Sequence, residues 1–375
     1  MENLGLMEYL KNHYQGKKVF ITGHTGFKGS WLVQILSLLG ATIKGYALAP
    51  DQKINLFDEI AGADLCESVI HDIRDKDVLK KAILDFQPDY IFHLAAQPLV
   101  RLSYQIPIDT FEVNVIGTAH VLDALRFLDK KCAIVLITTD KVYHNNETEY
   151  AYQENDRLGG YDPYSSSKAC CELVIDSYRN SFFNTQNLAE HGKSLAVARA
   201  GNVIGGGDWS LDRLIPDIAK ALHNDQEIII RNPKAVRPWQ HVIEPLFGYL
   251  ELGAKLNEQP LAYSQAYNFG PNESDALTVE DMVQKSIGIW GKGHYTAESN
   301  EANPHEAGLL KLDITKALNE LQWRPIFNAE IAIQRTINWY KKYSEGAAAA
   351  DLIKQDIEFY LNAINEKKYG NFKGY

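Results

Sequence analysis

Two groups of residues in this chain have the types and spacing for proton transfer. Tyr164 and Lys168 stand four residues apart in "YDPYSSSKACCEL", on one face of a helical pattern. A free phenol has a pKa of about 10, and a neighbouring ammonium stabilises its anion, so such a pair can take a hydroxyl proton near neutral pH. The second group is "ITTDKV", which follows the apolar run Cys132-Ala133-Ile134-Val135-Leu136. A buried strand that ends in Thr139, Asp140 and Lys141 either runs out into solvent or delivers a hydroxyl, a carboxylate and an amine to a reactant, because unpaired buried charge is costly. Adjacent strand residues face opposite ways, so Asp140 and Lys141 reach one reactant only if the chain turns after Thr139.

The elements that must position these groups are legible in the hydropathy pattern. From residue 17 short apolar runs alternate with helical ones, "KKVFITG", "GSWLVQILSLLG", "TIKGYAL", "DKDVLKKAILDF", "DYIFHLAA" and onward to "CAIVLITT". This rhythm predicts an α/β fold, a doubly wound parallel sheet of Rossmann type, with a smaller and mostly C-terminal substrate-binding lobe. The expected boundaries are 17–201 with 242–262 for the dinucleotide domain, 202–241 with 263–345 for the lobe, and 346–375 for a C-terminal helix and tail. Gly23, Gly26 and Gly29 fall at the first strand-to-helix turn, where a pyrophosphate needs bare backbone amides and a helix N-terminus. The second strand lacks the usual ribose carboxylate. It ends in Leu48-Ala49 with Asp51 the nearest acid, which counts against NAD; NAD is nevertheless expected rather than NADP, because a 2'-phosphate would need a cation there and Lys53 is the sole obvious candidate. Asp72 is placed either to accept from an adenine amino group or to cap a turn.

Charge and composition restrict the partners. The 375 residues carry 38 Lys and Arg against 48 Asp and Glu, a net charge of -10, which argues against nucleic acid or an anionic membrane and leaves room for a local basic pocket. Cys66, Cys132, Cys170 and Cys171 form no Cys-x-x-Cys pattern, and a reducing cytoplasmic location is expected. The start "MENLGLMEYLKNHYQGKK" has acids and amides where a signal peptide needs a basic start and an apolar stretch.

Together with the glycine turn and Asn114 in "NVIGT", the Tyr164/Lys168 pair and the "TTDK" strand end resemble the extended short-chain dehydrogenase/reductases that act on nucleotide sugars. The segments "GHTGFKGSWL", "HLAAQPLVRLSY", "GGYDPYSSSK", "RAGNVIGGGDW", "DRLIPD", "RPWQHV", "YNFGP" and "NPHEAGLLKLD" are similar to the CDP-glucose 4,6-dehydratases over roughly residues 17 to 325. The resemblance implies a lyase that dehydrates CDP-glucose to the 4-dehydro-6-deoxy sugar for deoxysugar synthesis, moving hydride from carbon 4 to carbon 6 through bound NAD. It implies that Thr139 binds the sugar 4-hydroxyl, that Asp140 is acid and Lys141 base in the elimination, and that Tyr164 and Lys168 serve the oxidation. An ion pair between Asp140 and Lys141 would allow the two roles to exchange. By the same resemblance Gly23, Thr25, Gly26, Phe27, Gly29, Asp72, Ile73, Leu94, Ala95, Ala96 and Asn114 hold the cofactor together with Tyr164 and Lys168. Asn202, Arg213 and Leu214 would line the diphosphate and base end.

Other residues are read from their chemistry. Arg237 in "AVRPWQHV" is a diphosphate ligand or a surface ion pair, and Gln97 after "HLAA" can reach sugar or cofactor. His241 is expected to pack in the core, as are Trp323 and the aromatic-rich helix "AIQRTINWYKKY". His305 and Glu306 have no companion pair, so no metal is expected. The helix bearing Tyr164 also carries Cys170, Leu173, Val174 and Tyr178, an apolar excess that predicts a homodimer or tetramer. The other readings are another nucleotide-sugar dehydratase of the same family, a nucleotide-sugar epimerase or oxidoreductase, which does not require Asp140 and Lys141, and a non-catalytic NAD-binding regulatory protein, against which the intact Tyr164, Lys168, Asp140 and Lys141 count.

Overall fold

The computed structural model describes residues 5–210, 213–230, 232–272, 275–297 and 309–368. Seven parallel strands form the main sheet: β1 (Lys18–Thr22), β2 (Thr42–Ala47), β3 (Glu67–Ile70), β4 (Tyr90–His93), β5 (Cys132–Ile137), β6 (Lys193–Ala200) and β7 (Ala266–Phe269). Their spatial order is β3-β2-β1-β4-β5-β6-β7. β5 and β6 are buried along their whole length, as a parallel sheet covered on both faces requires. Helices α1 (Phe27–Leu38), α2 (Lys76–Phe86), α3 (Gly117–Leu125), α4 (Pro163–Ser181) and α5 (Ile243–Glu258) supply that cover. Two apolar clusters result, one on each side of the sheet.

The order of winding reverses between β1 and β4, the point at which a doubly wound sheet leaves a crevice at the carboxyl ends of its strands. Buried side chains tie the reversal together. Thr22 Oγ1 lies 2.7 Å from His93 Nδ1, and His93 Nε2 lies 3.0 Å from Thr118 Oγ1 at the start of α3. Burial holds the His93 pKa down to about 3, so the ring is neutral and one tautomer serves both contacts.

One strand falls elsewhere than the sequence pattern places it. Ala266–Phe269, expected in the small lobe, pairs with Val197–Ala200 as the edge strand of the main sheet, because Tyr267 and Phe269 pack into the larger cluster. The C-terminal helix Ala349–Lys368 is part of the body as well, with Leu352, Ile353, Ile357 and Tyr360 buried in that same cluster. What remains of the lobe is built from short pieces, such as Val203–Ile204 paired with Gln240–His241 and Val236–Pro238 paired with Ala276–Thr278. His241 is fully buried edge-on against Trp31 and Phe327, and Trp323 is core. His305 and Glu306 lie outside the described residues.

Candidate active site

β5 ends at Ile137, and the backbone stays extended through Thr139 before Asp140–Val142 tighten into one 3-10 turn. This turn brings Asp140 and Lys141 to the same place. Thr139 Oγ1 donates to Asp140 Oδ1 at 2.9 Å, and Lys141 Nζ approaches the same oxygen at 3.4 Å and Asn202 Oδ1 at 3.3 Å. Asp140 is only 1% exposed, so the group is no solvated strand end.

The Tyr164/Lys168 helix is aimed by its cap. Asp162 accepts from the Ser165 amide at 2.9 Å, Pro163 fills the first helical position, and Ser103 Oγ accepts from the Tyr164 amide at 3.1 Å. Lys168 Nζ donates to the carbonyl of Ile137 at 3.2 Å, which fixes the ammonium under the end of β5. One turn further, Glu172 accepts from Thr138 Oγ1 at 2.7 Å and from Arg199 Nε at 2.7 Å and Nη2 at 2.5 Å. Arg199 also donates to the Tyr143 hydroxyl at 2.8 Å, and Tyr143 donates to Asn268 at 2.7 Å. A buried ion pair thus clamps α4, the end of β5 and the edge strands around the reactive residues. Sequence reasoning missed Glu172 and Arg199, although Tyr164, Lys168 and Glu172 repeat at helical spacing on one face.

The glycine turn fits a dinucleotide. Gly23 has φ +79°, and a Cβ there would sit 2.8 Å from the Ala95 amide nitrogen, while a Cβ on Gly29 would fall 2.1 Å from the Gly23 carbonyl. Gly26 caps α1 without any side-chain hydrogen bond, which leaves the first-turn amides of α1 to a ligand. Thr25 Oγ1 donates to the Leu48 carbonyl at 2.9 Å and ties the turn to the end of β2, and Phe27 packs against the core. Leu94, Ala95 and Ala96 follow β4 along the opposite wall of the crevice, and Ile73 packs on the Gly117 backbone at its outer end.

Several expected contacts are engaged within the protein. Asp72 binds the Arg74 guanidinium at 2.7 Å and accepts from the Arg74 amide at 2.8 Å, a turn of the kind its position allowed. Asn114 accepts from the Gln97 amide at 2.8 Å and donates to Ser167 at 2.8 Å, so it spaces α4 from β4. The Gln97 side chain accepts from the Leu99 amide at 2.6 Å and donates to Thr110 at 3.0 Å, closing its own loop rather than facing the cleft. Arg213 pairs with buried Asp208 at 2.8 Å, and Leu214 opens the helix Leu214–His223. Arg237 lies on the strand Val236–Pro238, and its side chain is outside what the structure describes.

The GDP-mannose 4,6 dehydratase family model matches residues 20–336. The CDP-glucose 4,6-dehydratase of Salmonella typhimurium is 48% identical over 353 residues, 94% of this chain and 98% of the relative. The chain belongs to the family of nucleotide-sugar 4,6-dehydratases. In fold this dehydratase resembles an epimerase of Methanothermobacter thermautotrophicus, with TM-score 0.76, 22% identity and 93% and 97% of the two chains covered. A dTDP-glucose 4,6-dehydratase of Streptomyces venezuelae, solved with NAD, superposes with TM-score 0.73 at 23% identity, covering 87% of this chain and 97% of that one. The dehydratase has no helix among its described residues long and apolar enough to cross a membrane.

Proposed function

We propose that this dehydratase converts CDP-glucose to CDP-4-dehydro-6-deoxyglucose and water, with NAD held in the glycine turn. The observation that carries the reading is the single cluster of Thr139, Asp140 and Lys141 beside α4, since oxidation alone has no use for an acid-base doublet at the strand end. NAD, when bound, supplies a reversible two-electron store for the sugar. Tyr164 removes the proton of the 4-hydroxyl, with Lys168 beside it to favour the anion and Thr139 to orient the oxygen. The resulting 4-ketone acidifies the hydrogen on carbon 5.

The contact between Asp140 and Lys141 addresses how a lysine can act as base. Passing one proton from the ammonium to the carboxylate turns the ion pair into a neutral amine and a carboxylic acid, the two forms that elimination requires. Lys141 then takes the carbon-5 proton while Asp140 protonates the leaving 6-hydroxyl. Loss of water restores the ion pair and leaves a carbon 5–carbon 6 double bond; the hydride taken from carbon 4 would then add at carbon 6 while Lys141 returns its proton to carbon 5, and the proton held by Tyr164 replaces the one that Asp140 gave up.

Incubation with CDP-, UDP-, dTDP- and GDP-hexoses, followed by mass, tests the reading. CDP-glucose is expected to lose one water fastest; conversion of another nucleotide sugar alone would contradict the choice of base. A dimer is part of the proposal. Ile108 and Leu173 are 69% and 60% exposed on the face formed by Pro107–Phe111 and α4, whereas Val174 and Tyr178, expected on that face, pack inward. Light scattering should give at least twice 42.3 kDa. A reducing cytoplasm suits four cysteines that are all free thiols.

A further inference from the structure

Lys28 stands inside the cofactor turn, as the second residue of α1, yet its side chain leaves that turn and enters the reaction cleft. Its Nζ lies 5.9 Å from the ring centroid of Tyr249 on α5. It interacts electrostatically with Asp140 and Lys141 at the end of β5, Lys168 on α4 and Arg213 ahead of the helix Leu214–His223. The other three cations are held in place: Lys141 by Asp140 and Asn202, Lys168 by the Ile137 carbonyl, Arg213 by Asp208. Among the described residues Lys28 has neither a hydrogen bond nor an ion pair. With Lys28 protonated, four cations (Lys28, Lys141, Lys168, Arg213) face two carboxylates (Asp140, Asp208), an excess of two positive charges around one cleft.

Such an excess matches a diphosphate, whose two bridging-linked phosphates carry one negative charge each, and the ammonium with free donors is the group to meet it. We propose that Lys28 binds the diphosphate of the nucleotide sugar, making the cofactor turn a contributor to the substrate site. The substrate's diphosphate is favoured over the cofactor's because the charged groups that act most strongly on Nζ, namely Arg213, Asp140, Lys168 and Lys141, belong to the reaction cleft and not to β2 or β3, where the adenosine end lies. Burial, reinforced by Arg213, lowers the Lys28 pKa to about 7, and a dianionic ligand beside it would favour the ammonium form. This inference rests on the nucleotide-sugar reading above.

Calorimetric titration of the NAD-loaded enzyme separates the possibilities, with CDP, UDP, dTDP and GDP and their four nucleosides as probes. The preferred base is read from the wild type, and Lys28 is read from the variant-to-wild-type ratio for that base. Lys28→Met and Lys28→Gln are expected to weaken the diphosphate about tenfold to a hundredfold, to leave the nucleoside within about twofold, and to retain bound NAD by absorbance. Lys28→Arg should keep most of the affinity. Equal losses for diphosphate and nucleoside, no loss for either, or release of NAD with the diphosphate affinity unchanged would each overturn the proposal. A wild type that binds none of the four diphosphates would overturn the nucleotide-sugar reading instead. Using two neutral variants keeps the decision independent of whether one of them folds.

Discussion

The two halves of the cleft are built on different principles. At the catalytic edge Thr139, Asp140, Lys141, Tyr164 and Lys168 sit on β5 and α4, both locked into the sheet, and the Glu172–Arg199 pair beneath them is 4% exposed at each side chain. On the side proposed to hold the substrate, Asn202 stands just ahead of a two-residue strand, Arg237 on a three-residue strand, and Arg213 at the start of the helix Leu214–His223. Proton transfer needs atoms fixed within fractions of an ångström, while a diphosphate tolerates a mobile cradle whose charge matters more than its exact shape.

Perturbing each half should show that contrast, starting with the largest effect. Tyr164→Phe is expected to lower kcat by at least about a thousandfold with little change in the affinity for CDP, as steady-state kinetics and calorimetry will report. Glu172→Ala leaves Arg199 buried without its partner and should cost about 3–5 kcal/mol in urea unfolding. Arg213→Ala, in the looser half, should raise KM about tenfold to a hundredfold while kcat changes less than about fivefold. A large kcat loss from Arg213→Ala would show that the halves are not separable. The smallest effect concerns acid stability. Burial holds His241 neutral, with its pKa lowered from 6.5 to about 3, so the unfolded chain binds a proton there that the folded one does not, and stability falls as pH drops below 6.5. His241→Phe should therefore lose about 2 kcal/mol less than the wild type between pH 7 and pH 5 in urea melts.

How much of this was legible in the sequence follows the same division. Local spacing disclosed the glycine turn, the "TTDK" strand end and the Tyr164/Lys168 pair, because each is a few consecutive residues whose geometry is set by one strand or one helix turn. The turn after Thr139, required if Asp140 and Lys141 were to act together, is present. Glu172 and Arg199 escaped notice because they are 27 residues apart in the chain and meet only through the sheet. Lys28 escaped because its backbone belongs to one site and its ammonium to another. Gln97 and Asn114 looked available as polar residues beside a strand end, and the structure uses their amides to close the loop after β4 and to space α4 from it. The edge strand Ala266–Phe269 was placed in the lobe because a four-residue run carries no mark of which sheet it will join.

The central claim is that Asp140 and Lys141 serve elimination and nothing earlier. Rapid mixing of CDP-glucose with the Lys141→Met enzyme, monitored by the absorbance of reduced nicotinamide, tests it most directly. The first oxidation should proceed and the reduced cofactor should accumulate to near one equivalent per site, with no water lost from the sugar by mass and no such accumulation in the wild type. Turnover of Lys141→Met near the wild-type rate, with the cofactor remaining oxidised, would contradict the account.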